Sequence, residues 1–185
     1  MVEQTPFKII NFERNNINGG SINFDLVFKN NKKNLSISKE KKIFLLEKKM
    51  KIDSPFTFKK YFTKIHSNSI KIRNMFRKIK DNKKTIYGFG ASTKGNVTLQ
   101  FCKINDKIMD GIYDINPQKF NKFTPGSNIL IKTEKYINQD KPDYIVFLIW
   151  HFKKTIAKKF GNIKNNKTKY IWLFPKILIR NKISK

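Results

Sequence analysis

The stretch IYGFGASTKGN, residues 86 to 96, places small residues where an apolar segment gives way to the start of a helix. Gly88, Gly90, Ala91, Ser92, Lys94 and Gly95 let a backbone come close to a ligand, and the amides and dipole at a helix start favour an anion. A phosphate or diphosphate suits such a loop. Its spacing departs from two familiar phosphate loops. A dinucleotide-binding G-x-G-x-x-G would end two residues before Gly95, and a loop of the G-K-[ST] kind puts lysine after glycine, whereas Lys94 precedes Gly95. Neither NAD nor ATP is favoured.

Two further segments belong with this loop. Asp114, in YDINP, lies 24 residues after Gly90, the spacing of a carboxylate that accepts hydrogen bonds from a ribose. It equally suits a cap for the turn before Pro117, and spacing alone leaves both roles open. FTPGS carries a turn at Pro125 and Gly126 just before another apolar segment, where loops of open α/β sheets line a ligand crevice. The expected site therefore has backbone amides between Gly88 and Gly95 holding phosphate and Lys94 adding charge. Asp114, Pro125 and Gly126 shape its pocket.

The elements that must position these residues follow from residue 84 onward. TIYGFG, KGNVTLQFCKI, MDGIYDIN, SNILIKT, PDYIVFLIW, HFKKTIAKKF and KYIWLFP alternate apolar strands with amphipathic helices. Strand, helix, strand in repetition predicts a parallel sheet with right-handed crossovers, a Rossmann-like unit of about four or five strands over 81–185. Upstream, FKIINFERNNINGGSINFDLVF predicts a β-hairpin within 1–30, and Ile22, Phe24, Leu26 and Phe28 form one apolar row. Residues 31–80 read as a helical linker. Ile37, Phe44 and Leu45 suit a short helix, and Ser54 followed by Pro55 starts a helix of about 25 residues. The fold class is thus α/β: a mostly parallel sheet with flanking helices, preceded by a hairpin and a long linker helix.

Composition bounds the remaining possibilities. The chain has 185 residues, 39% of them hydrophobic, including 17 phenylalanines, enough to build a core. Its net charge of +27 would ordinarily point to nucleic acid, yet 36 of the 40 basic residues are lysine and they are spread over every segment. With 21 asparagines and 27 isoleucines, this is the skew of an AT-rich coding sequence, so a lysine-rich solvated surface is expected and specific nucleic-acid binding is not. The single Cys102 permits no internal disulfide and reads as a small apolar helix residue, consistent with a cytoplasmic protein. His66 has no ligand partners at metal-binding spacing. The longest apolar run, YIVFLIW, is too short to span a membrane.

GFGASTKGN, YDINPQK, KFTPGS, KPDYIVFLIWHF and INGGSINFDLVF, taken together, resemble the C-terminal part of SAM-dependent C-methyltransferases that act on nucleotide-linked deoxysugars. The resemblance covers about residues 5–175. It implies a two-lobed enzyme in which an N-terminal Rossmann domain binds SAM and a C-terminal Rossmann-like domain helps hold the nucleotide sugar. A base there removes a proton next to the sugar's keto group, and the enolate attacks the SAM methyl. It also implies that residues 1–28 match the last strands of the SAM domain, so that the SAM loop and the catalytic Tyr/Glu/His segment would lie upstream of Met1. Asn18 stands where the family usually has His; SNILI lacks the usual proline; Ile149 and His151 flank Trp150 where Pro and Asn are typical. His151 reads either as an acquired base or as a helix-start surface group.

The expectation is a substrate-binding part of such an enzyme, inactive alone. It has a nucleotide-linked sugar as ligand, no cofactor bound by this chain, SAM only on a separate domain or chain, and no catalytic residue of its own. A stand-alone nucleotide or nucleotide-sugar binding module is the alternative, with a basic nucleic-acid binder behind it.

Overall fold

The computed structural model describes residues 2–17, 20–34, 37–152, 156 and 167–182. The chain forms two compact units, Met1–Lys64 and Ile65–Lys185.

In the first unit, β1 (Phe7–Asn15) and β2 (Ser21–Phe28) pair antiparallel, with Phe7 opposite Phe28 and Asn15 opposite Ser21. Asn18, in the connecting loop, lies outside the described residues. Helix α1 (Ile37–Met50) follows, and helix α2 (Pro55–Asp81) starts at the expected proline, with the Ser54 carbonyl accepting from the Thr57 amide at 3.0 Å. The apolar row forms as expected, but Ile22, Phe24, Leu26 and Phe28 are 47–59% exposed. A two-stranded ribbon has a single layer and cannot bury its own face. Among the described residues up to Lys64, none is buried.

The second unit is built on a six-stranded sheet: β3 (Ile86–Phe89), β4 (Gly111–Asp114), β5 (Ile131–Thr133), β6 (Tyr144–Phe147), β7 (Lys169–Trp172) and β8 (Leu178–Arg180). Their order is β5-β4-β3-β6-β7-β8, with every pair parallel except β7 and β8. This is the doubly wound Rossmann order, and its direction of winding reverses between β3 and β6. The sheet exceeds the four or five strands expected. The extra strand, β8, is three exposed residues at an edge, too short to carry a readable alternation.

Side chains alternate across the sheet because strand residues point to opposite faces. On one face Ile86, Ile112, Val146 and Ile171 pack with Leu99 of helix α3 (Thr93–Phe101) and with Ile72, Phe76 and Ile79 from the C-terminal part of α2. On the other, Phe89, Tyr113, Ile145, Phe147, Tyr170 and Trp172 form an aromatic-rich layer with Ile137 of the short helix α4 (Ile137–Asp140) and Ile156. Each of these fully buried large side chains contributes about 1.5–3 kcal/mol, so both faces of the sheet are anchored. Apart from Ile156, the helix expected over HFKKTIAKKF falls mostly outside the described residues.

Two carboxylates fix the entrance of β3. Asp110 Oδ2 accepts from the Ile86 amide at 2.7 Å, while Asp143 Oδ2 accepts from the Thr85 amide and hydroxyl at 2.9 and 3.1 Å. Among the described residues no helix is long and apolar enough to cross a membrane, and no group of three potential metal ligands occurs.

Candidate functional site

β3 delivers the glycine loop to the C-terminal edge of the sheet, beside the point where winding reverses and where open α/β sheets hold ligands. The three glycines there serve different purposes. Gly88 is a packing glycine: a Cβ would lie 2.9–3.1 Å from Leu148, Ile112 and Met109. Gly90 has φ 89°, a conformation open to glycine, and a Cβ would lie 2.6 Å from Ile149 Cγ2. Gly95 brings α3 against the sheet, since a Cβ would lie 2.8 Å from Leu148 Cβ.

The loop's amides are largely engaged within the fold. Gly90 N–H donates to the Tyr113 carbonyl at 2.7 Å, Ala91 N–H to Asp114 Oδ2 at 2.7 Å and Ser92 N–H to the Gly90 carbonyl at 2.8 Å. Ser92 is the N-cap of α3, in an extended conformation, and its hydroxyl accepts from the Gly95 amide at 3.0 Å. Ile149 fills the space that a diphosphate-binding loop leaves open above its second glycine.

Asp114 is 5% exposed, and both its oxygens hold loops in place. Oδ1 accepts from the Asn116 amide at 2.8 Å, and Oδ2 accepts from Ala91 N–H and from Lys119 Nζ, the latter at 3.3 Å. Lys119 Nζ also donates to the Ala91 carbonyl at 2.9 Å, so carboxylate and lysine together staple the β3 loop to the segment after β4. The geometry matches the turn-and-loop role left open by the spacing.

The open space lies next to this staple. A cavity of about 400 Å³ is lined by Ala91, Ser92, Thr93 and Asn96 on the α3 side. Lys122, Phe123, Thr124 and Pro125 close it opposite, over an apolar floor of Leu99, Ile112, Ile131 and Leu148. Of the residues expected at the site, Ala91, Ser92 and Pro125 meet here; Gly88, Gly90, Gly95 and Asp114 stand behind the wall; Lys94 and Gly126 are outside the lining.

The Pro125 side is rigid. Thr124 and Ser127 are buried and their hydroxyls are 2.7 Å apart, Thr124 Oγ1 accepts from the Ile129 amide at 3.0 Å, and Gln100 Nε2 holds the Pro125 carbonyl at 3.0 Å. Gly126, φ 72°, allows Gln100 to come this close. Asn121, φ 58°, makes the left-handed turn that precedes Lys122, a conformation asparagine tolerates better than other side-chain-bearing residues.

The sequence reading passed over Lys119, Lys122, Phe123 and Asn96. The spacing of KFNKF between Asn116-Pro117 and Pro125 was the available signal: a basic and aromatic segment confined between two turns. His151, read either as a base or as a surface group, lies in the 3-10 turn Trp150–Phe152 after β6.

A family model described as the C-methyltransferase C-terminal domain matches residues 16–175. The C-methyltransferase NovU of Streptomyces niveus is 29% identical over 104 residues, 56% of this chain and 25% of the relative, so the chain spans about a quarter of the length of that curated protein. Among solved structures, UDP-D-quinovosamine 4-dehydrogenase from Vibrio fischeri aligns at 16% identity with a TM-score of 0.34, over 50% of this chain and 79% of that one.

Proposed function

The chain belongs to the C-methyltransferase C-terminal domain family, and on that premise we propose that it is the substrate-holding part of a SAM-dependent C-methyltransferase acting on a nucleotide-linked sugar. The observation that carries this reading is the cavity between the start of α3 and residues 122–125: concave, apolar on its floor and polar at its rim, at the sheet edge where α/β folds take ligands. The glycine loop, Asp114 and the Pro125-Gly126 turn shape that cavity, and its polar rim receives the ligand's phosphates.

SAM belongs to another domain in this reading. What supports leaving it out of this chain is the loop itself: Ile149 stands over Gly90, and Asp114 has both oxygens engaged, so the residues present do not fit a nucleoside cofactor there. The chain alone then has no route to methyl transfer. A SAM-binding domain, on the same polypeptide or a separate one, covers the exposed apolar faces of the first unit, which has no buried residue among those described. Apolar rows of this kind mark surfaces meant for a partner.

The test is calorimetric titration with a thymidine diphosphate keto-sugar, with a methyl-transfer assay run in parallel. Binding without turnover in the presence of SAM, and turnover once a SAM-binding domain is added, is the expected result. Methyl transfer by the chain alone refutes the division of labour, and absence of any nucleotide affinity refutes the substrate assignment.

A further inference from the structure

We infer that Lys122 is the side chain that takes the anionic group of the ligand in this cavity, and that the cavity selects a phosphate-bearing ring compound over a neutral nucleoside. The inference rests on the substrate reading above and assigns its charge recognition to a particular residue.

The argument is one of elimination among charged groups around the cavity. Among the described residues no aspartate or glutamate lines it, and the carboxylate behind its wall, Asp114, is paired with Lys119. Of the two lysines in the lining, Lys119 is committed: its ammonium bridges the Ala91 carbonyl and Asp114 and cannot leave without releasing the loop. Lys122 is exposed and makes no ion pair among the described residues. It stands on the rim, delivered there by the left-handed turn at Asn121, and shares that rim with Phe123, whose ring is 57% exposed.

A lysine beside an exposed aromatic ring, over an apolar floor, suits a ligand with a charged end and a flat ring. Asn96 adds a polar feature. It lines the cavity, and its side-chain oxygen is buried with no hydrogen-bond partner. A buried acceptor left without a partner beside a cavity suits a ligand N–H or O–H.

The experiment compares the full chain with Lys122→Ala, Lys122→Arg and Lys94→Ala by calorimetry, using thymidine diphosphate, thymidine and pyrophosphate as probes. A charge-assisted contact of this kind corresponds to about a ten- to hundredfold change in affinity. Lys122→Ala is expected to lose that much affinity for thymidine diphosphate, Lys122→Arg to recover part of it, and Lys94→Ala to bind as the unaltered chain does. Thymidine is expected to bind weakly and equally to all four proteins. Unchanged affinity in Lys122→Ala, with the unaltered chain binding well, overturns the inference alone. No binding of any nucleotide by the unaltered chain overturns the substrate reading and the inference with it. Because Lys122 is exposed, the variants should share one melting temperature, so lost binding reports the contact.

Discussion

Replacing Asp114 separates its two possible roles, as a ribose acceptor or as a staple for the loop. Asp114→Ala removes the acceptor of the Ala91 and Asn116 amides, at 2.7 and 2.8 Å, and the partner of Lys119. A hydrogen bond to a charged group is worth about 1.5–3 kcal/mol. Taking the lower end for each amide gives a loss of about 3 kcal/mol. The lysine pair adds little, because the Lys119 side chain is 39% exposed and screened by water. For a unit the size of Ile65–Lys185, this corresponds to a fall in melting temperature of about 10 °C. Asp114→Asn keeps one carbonyl oxygen, enough for the Asn116 amide, and should lose about half as much. Thermal unfolding followed by circular dichroism supplies the stability, and calorimetry with thymidine diphosphate supplies the affinity. A variant that melts like the unaltered chain but no longer binds nucleotide would refute the staple and restore the ribose contact.

Three further outcomes follow from ionisable groups that the fold perturbs. Burial pushes the Cys102 thiol up to about 11, with Arg73 offsetting only part of the rise; Ellman's reagent should therefore leave the native chain unlabelled at pH 7.5 and label it fully in guanidinium, and fast native labelling would contradict the core position. Burial, helped by Asp140 and Asp110, raises Tyr87 to about 12, so the folded chain holds that proton more tightly than the unfolded one. Stability should be unaffected by this group below about pH 10 and fall as pH rises towards 12, with Tyr87→Phe flattening the decline in alkaline melting curves. Burial acts to raise Asp143 as well, but the Thr85 amide and hydroxyl and Lys84 outweigh it and hold the carboxyl below its ordinary value. Its contribution is therefore complete above about pH 4 and lost as pH falls through the folded value. Asp143→Asn should melt lower at pH 7 and converge with the unaltered chain towards pH 2.

The sheet was legible because its central strands are buried over most of their length and read as short apolar runs bounded by turns; YIVF and KYIW need no alternation to be recognised. Helix α2 was legible from Ser54-Pro55 and from the spacing of Ile72, Phe76 and Ile79, and those three residues are buried, whereas Phe58 and Phe62 on the same helix are exposed. The amphipathic pattern records a face that wants covering, without saying which neighbour covers it. The site was legible only in part. Glycines at 88, 90 and 95 mark a tight loop, but whether small size serves a ligand or a neighbouring side chain depends on what stands opposite. Here Leu148 and Ile149 stand opposite, more than 50 residues away in sequence. For Lys122 the one local signal was its place beside Phe123 in KFNKF between two turns, which is faint among 35 other lysines.

The same abundance of lysine bears on how the net charge of this chain is read. Four ion pairs among the described residues join a lysine to an aspartate: Lys80 to Asp110, Lys84 to Asp143, Lys119 to Asp114 and Lys132 to Asp140. Three of those aspartates also accept backbone amides at the ends or loops of β3, so these lysines complete structural braces. Lysine therefore does two jobs in the second unit, bracing carboxylates and, at Lys122, facing a cavity. In the cavity lining, Lys122 is the lysine outside such a brace, and a ligand there meets one cation. A ligand held that way should weaken modestly with salt, whereas a nucleic acid bound across the whole +27 surface would weaken steeply. The salt slope of thymidine diphosphate binding thus distinguishes a defined anion site from the diffuse charge around it.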